Sequence, residues 1–332
     1  MRRTLSQRLF STARALKHEN PLGLPRAGAN APPQIPRRSG PIAKRPIPNV
    51  KKVLVVASGK GGVGKSTVAV NLAFALAMRH GEPRLRVGIL DLDIFGPSVP
   101  KLMGLDQADE PHLTPGGALI PLMNHGLPCM SMGFLLPRTA SSDSNADVAV
   151  VWRGLMVQKA VQQLLFDVDW RLGAGREMPG KGLDVLVVDM PPGTGDVPLT
   201  LGQLVNVDGA VIISTPQDVA LSDVRKSISM FRKVGVPIKG LILNQSYFIC
   251  PSCTTPHHLF GSSELFQSTA KQLDVPVLGE LPLSPGVSAG GDSGLPYSLI
   301  SEGKMTEMDG VGGIRWKEAM QQVANKVLTS LS

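Results

Sequence analysis

From Val50 onward the chain alternates two patterns. Short runs are apolar at nearly every position, and longer stretches carry apolar residues at helical spacing. The short runs are KKVLVVAS, LRVGILDLD, GLDVLVVDMPP, DGAVIISTP and VPIKGLILNQS. A strand that is apolar on both faces is one covered on both faces, which predicts a parallel sheet between helices. The helical patterns between the runs are STVAVNLAFALAMRH, WRGLMVQKAVQQLLFDV, ALSDVRKSISMFRKVG and SELFQSTAKQL. PVLGELPL predicts a last strand and GIRWKEAMQQVANKVLTSL a closing helix. The expected fold class is therefore α/β, a mostly parallel central sheet with helices on both faces. RTASSDSNAD, residues 138–147, is polar and reads as a mobile loop. No internal repeat and no run of about 18 apolar residues able to span a membrane is evident.

Composition changes this picture little. Hydrophobic residues make up 42% of the 332 residues and aromatics only 4%, which suits an aliphatic α/β core better than a β-sandwich. Three cysteines argue for a reducing compartment and against a disulfide framework. Cys129, in LPCMSMGF, reads as a buried core thiol.

Charge changes it more. The net charge is +8, yet residues 1–52 hold twelve Lys/Arg against one acid, Glu19, so the rest of the chain is net −3. A mildly acidic body is no nucleic-acid footprint, and no nucleic-acid partner is expected. The basic segment begins MRRTLSQRLFSTARALKHEN, with Leu5, Leu9, Ala13 and Leu16 on one helical face and Arg8, Arg14 and Lys17 off it. Such an acid-poor, Arg- and Ser-bearing amphipathic start predicts a mitochondrial transit peptide, assigned to residues 1–35, and hence a matrix location. Residues 36–49 are expected to be a linker and residues 50–332 one domain.

The chemistry starts where the first strand ends. GKGGVGKS satisfies G-x-x-x-x-G-K-[ST] between a strand and a helix. Gly59, Gly61, Gly62 and Gly64 let the loop turn its N–H groups, through Val63 to Thr67, toward phosphate oxygens. Lys65 is expected on the β- and γ-phosphates of ATP and the Ser66 hydroxyl on Mg²⁺. Asp189, ending VLVVD, takes the place of the carboxylate that holds Mg²⁺ through water. Asp91 and Asp93 end another strand; alternation points both the same way, with Asp91 near the metal and Asp93 positioning the attacking water. The competing reading is that both acids only face solvent or cap a turn. Lys60 lies too close in sequence to share the role of Lys65, and is expected to point outward toward a partner's nucleotide.

KGGVGKST, DLDIFGPS, VVDMPPGTGD, STPQDVAL and NQSYFICPSC, in this order across about residues 50–300, resemble the Mrp/nucleotide-binding-protein group of iron–sulfur P-loop ATPases. That group belongs with MinD, ParA, ArsA and the nitrogenase iron protein, the deviant Walker A type. With the transit-like start, the resemblance is to its mitochondrial branch, which assembles iron–sulfur clusters into respiratory complex I. It implies a slow Mg-dependent ATPase used as a switch, and a homodimer in which Lys60 reaches across. It implies Asn244 on the adenine edge and Pro216 packed near the base; as a polar residue ending an apolar strand, Asn244 could equally cap a turn. It also implies a [4Fe–4S] cluster on Cys250 and Cys253, with the second subunit supplying the other two thiolates. Partners implied are upstream iron–sulfur donors and apoprotein clients, complex I subunits among them.

The chain departs from that group at Leu155, where proline is common, at Ser252, where histidine is common, and in FGSSE, which lacks extra glycines. LPLSPGVSAGGDSGLP, residues 281–296, fits it and is expected to form a glycine-rich turn. Other readings stay open at the same residues. Cys250 and Cys253 with His257 or His258 make a zinc site within one chain, or a redox pair. A MinD/ParA-like positioning ATPase needs the phosphate loop but no C-x-x-C. An electron-transfer ATPase like the nitrogenase iron protein uses separated single cysteines, which the spacing here does not match. Arg315, Lys317 and Lys326 on the closing helix leave a peripheral membrane contact open.

Overall fold

The computed structural model describes residues 43–79, 84–135, 154–171, 180–301 and 309–331. The expected targeting segment and the polar loop at 138–147 lie outside the described residues.

Five apolar runs form the middle of one sheet: β1 (Val50–Ser58), β2 (Val87–Asp91), β5 (Leu183–Asp189), β6 (Gly209–Ser214) and β7 (Ile238–Leu243). Together with β3 (Leu122–Asn124), β4 (Leu127–Ser131) and β10 (Val277–Glu280) they give the order β10-β7-β6-β1-β5-β2-β4-β3. All neighbours are parallel except β3, which returns antiparallel on β4. Register places Val56 beside Asp189 and Asp91 beside Asp189, so β2 and β5 end level while β1 runs on to Ser58.

Helices cover both faces. α1 (Lys65–Ala77) is buried almost all round, because it lies between the sheet and α8 (Gly310–Leu331). The buried positions of α8, Gly312, Gly313, Trp316, Met320, Val323, Ala324, Val327 and Leu331, recur at i, i+3 and i+4 spacing, which makes one apolar stripe. On the opposite face α3 (Gly154–Phe166), α4 (Asp196–Leu204), α5 (Asp218–Lys233) and α6 (Glu264–Gln272) pack in sequence. α2 (Val99–Leu102) and α7 (Pro285–Asp292) are short.

Two expectations need correction. The packed body begins upstream of Val50. Ile47 is buried, Arg45 exchanges backbone hydrogen bonds with Leu204 and Asn206, and its guanidinium lies 3.5 Å from the Phe166 ring centre. Residues 43–49 are therefore wall, not linker. The glycine-rich stretch at 281–296 contains the helix α7 instead of a turn throughout. Pro285 occupies the first turn of α7, and Gly290 is required within it because a Cβ there would strike the Leu295 carbonyl at 2.6 Å.

Candidate nucleotide cleft and cysteine hairpin

β1 runs into the loop Gly59–Gly64 and emerges as α1 at the carboxyl edge of the sheet, where strand order reverses around β1. Crevices at such a reversal are the usual ligand sites of open α/β sheets. Gly62 (φ 79°) and Gly64 (φ 80°) occupy the left-handed region, so the turn requires glycine there. Gly59 is required for a different reason: a Cβ there would lie 2.5 Å from the Asp223 backbone of α5. The loop closes a cleft of about 250 Å³ whose lining includes Gly61, Lys65, Ser66, Thr67, Asp93 and Pro192.

Lys65 Nζ donates to Asp189 Oδ1 at 2.6 Å and lies 3.0 Å from Ser66 Oγ. Both members of this ion pair are buried, and Asp189 Oδ2 has no hydrogen-bond partner. Burial raises the Asp189 pKa, and the Lys65 charge acts against that rise. An orphaned buried carboxylate oxygen beside a hydroxyl and an ammonium, under a glycine cradle, fits the set that would hold a magnesium–phosphate group.

Asp91 and Asp93 part company. β2 stops at Asp91, so strand alternation no longer governs Asp93. Asp91 is sealed: its carboxylate accepts from Asp93 N (2.9 Å), Val99 N (3.3 Å) and Ser131 Oγ (3.0 Å). Burial, then the neighbouring Asp189 charge, pushes its pKa up. Asp93 is half-buried and borders the cleft, and burial raises its pKa as well. The two acids thus divide into a loop brace and a cleft group.

Lys60 is exposed and points away from the cleft; its Nζ is 3.4 Å from Gln217 Oε1, at the start of α5. Pro216 lies in a separate groove of about 420 Å³ shared with Phe260 and Leu265, not in the phosphate cleft. Asn244, one residue beyond β7, is buried, and its Nδ2 donates to the Val63 carbonyl at 2.9 Å. It also faces a cavity of about 150 Å³ that includes Gly64, Thr67, Ser284, Val287 and Trp316. Sequence reading missed both the tie to Val63 and the two-helix wall of that cavity, since the partners lie far apart in the chain.

The cysteines sit on a separate hairpin, β8 (Phe248–Ile249) and β9 (Pro256–His257). Cys250 N donates to Thr255 O, and Thr254 N to Cys250 O, which closes the tip. Cys250 is partly buried and Cys253 exposed. The hydroxyl and N–H of Thr255, then Cys250 and His257, bring the Cys253 thiol down to about 6. His258 turns away, its Nδ1 3.2 Å from the Ser246 carbonyl and its ring against Tyr247. No group of three or more His, Cys, Asp or Glu placed to hold a metal occurs among the described residues. Cys129 lies fully buried in β4.

A glycine loop between the central strand and a buried helix, an outward second lysine and a strand-end carboxylate define a P-loop NTPase of the deviant Walker A type. Residues 49–326 match the NUBPL iron-transfer P-loop NTPases of the ParA group, and the chain belongs to that family. It is 49% identical over 260 residues to the mouse (Mus musculus) iron–sulfur cluster transfer protein NUBPL, covering 78% of this chain and 74% of that one. It is 42% identical over 282 residues to an Arabidopsis thaliana protein named as an iron–sulfur protein required for NADH dehydrogenase, mitochondrial, covering 85% and 79%. Among solved structures, the Archaeoglobus fulgidus nucleotide-binding protein in complex with ADP superposes with a TM-score of 0.59 at 32% identity, covering 74% of this chain and 87% of that one. The Pyrococcus furiosus cell division ATPase MinD shares the fold, with a TM-score of 0.52 at 18% identity over 84% and 98%.

Proposed function

We propose that the chain is an ATP-dependent iron–sulfur cluster carrier. ATP would lie along Gly59–Thr67, with Lys65 on the β- and γ-phosphates, and Ser66 and Asp189 are the residues that would hold Mg²⁺. Asp93 orients the attacking water and Lys60 reaches a second copy's nucleotide. Hydrolysis is slow because the nucleotide is a switch. The cargo is a [4Fe–4S] cluster held by Cys250 and Cys253 of two chains and passed to apoproteins, complex I subunits among them, after loading by upstream iron–sulfur donors. The basic amphipathic start and the mitochondrial name of the plant relative support the mitochondrial matrix as the place.

One observation carries this reading. The two thiols share one hairpin tip, Cys253 exposed and Cys250 partly buried, and no third ligand completes a set with them among the described residues. Four-thiolate coordination is then met by a second copy of the hairpin. Anaerobic native mass spectrometry of the reconstituted protein tests it. A dimer heavier by one Fe₄S₄ unit, with that mass lost in Cys250→Ala, is expected. A monomer carrying one zinc would sink the shared cluster.

A second reading, a positioning ATPase with a zinc-bearing hairpin, is favoured by one feature: α5 exposes Arg225, Lys226, Arg232 and Lys233 along a single helix. That reading requires ATP-dependent sedimentation with anionic vesicles, lost when these four become glutamine. The carrier reading expects no ATP dependence in that assay.

A further inference from the structure

Behind the phosphate loop lies the cavity bordered by Gly64 and Thr67 on one side and by α7 and Trp316 on the other. α7 and α8 meet at one buried carboxylate. Asp309 Oδ1 accepts from Ser284 Oγ (3.0 Å) and Gly286 N (2.8 Å) at the start of α7, and the Asp309 carbonyl accepts from Gly313 N (2.9 Å) in the first turn of α8. The fit leaves no room for side chains: a Cβ on Gly286 would collide with this carboxylate, and one on Gly313 with the Tyr297 hydroxyl. Tyr297 in turn packs edge-on against Trp316 at 5.5 Å.

The same turn of α8 carries the cysteine hairpin. The Cβ direction of Gly310 meets Pro251 at 3.8 Å, and that of Gly312 meets Ile249 at 3.6 Å. These two residues flank Cys250 directly. From the other side, Leu283 N donates to Tyr247 O, so the chain entering the hairpin is bonded to the segment entering α7. Hairpin, α7 and α8 thus share one junction, and Asp309 is its buried polar centre.

We propose that Asp309 is a positioning residue that locks α7, the far wall of the cavity behind Gly64 and Thr67, to the turn of α8 on which the Cys250–Cys253 hairpin rests. A ligand that fills the cavity displaces α7, and the lock passes the displacement to the thiols. This deepens the carrier reading and rests on it for its purpose, whereas the lock itself concerns only this chain's own contacts.

The test is hydrogen–deuterium exchange of the 247–258 peptide, with and without ADP, in the full chain. Asp309→Ala loses the bonds from Ser284 Oγ and Gly286 N, among others, and should accelerate exchange there about tenfold, and ADP should no longer alter it. Asp309→Asn keeps the accepting oxygen and should restore wild-type exchange to within about twofold, and Ser284→Ala should give an intermediate rise. Unchanged exchange in Asp309→Ala, no rescue by asparagine, or equal acceleration in the β1 peptide would each overturn the proposal. Iron release to a chelator from the reconstituted protein is followed in parallel. If the wild type takes up no cluster, the carrier reading fails, while the exchange data still decide the role of Asp309.

Discussion

The Lys65 ammonium and the Asp189 carboxylate neutralise each other in a space almost closed to water. Removing one partner of such a pair strands the other, which costs about 3–5 kcal/mol. Lys65→Met should therefore lower the urea unfolding free energy of protein without added nucleotide by about 3 kcal/mol, and adding Asp189→Asn should recover most of it. An unchanged midpoint in Lys65→Met would mean that the pair is open to solvent. The placement of these two residues, at the start of α1 and the end of β5, was legible in sequence because a strand, a glycine turn and a helix bracket them. The bracing of Asp91 by Ser131 and Val99 was not, nor was the tie from Asn244 to Val63, across 181 positions. Such pairings depend on which strand ends meet, and local pattern does not encode that.

Among the elements, the buried strands and long helices follow from apolar periodicity, since burial on both faces leaves a strong signal. The short elements do not. β3 and β4 join through His125 (φ 51°) and Gly126 (φ 79°), a two-residue turn without the usual Asn-Gly signal. The cysteine hairpin has strands of two residues each, too short to show a period. Asp184, near the start of β5, ties that strand to β1 and to the residue before β2: it accepts two bonds from the Arg86 guanidinium, one from Arg86 N, and lies 2.8 Å from Lys51 Nζ. The Arg86 hydrogen bonds, then Lys51, hold its carboxyl well below the usual range. A depressed folded pKa contributes stability fully above the unfolded value, about 4, and loses it as pH falls through the folded one. Asp184→Asn should be less stable than wild type at pH 7, and the gap should narrow steadily as pH drops below about 4. A constant gap from pH 7 to pH 2.5 in thermal melts would show that the pair carries no proton linkage.

For the molecule as a whole, the domain edge is the point at which sequence and structure disagree most. Proline-rich, charged sequence up to Asn49 reads as linker, yet Ile47 is 1% exposed and sits in the core. Ile47→Ala should cost about 2–4 kcal/mol, measured by chemical denaturation, whereas a true linker residue would cost nothing measurable. The family match beginning at residue 49 also starts inside this packed segment.

The placement of the three thiols has a practical corollary. Cys129 is entombed between the sheet's strands, while Cys250 and Cys253 stand on an outer tip. A water-borne alkylating reagent should therefore take Cys253 first, the partly buried Cys250 more slowly, and Cys129 only after global opening. The three thiols thus report unfolding through the mass that each alkylation adds.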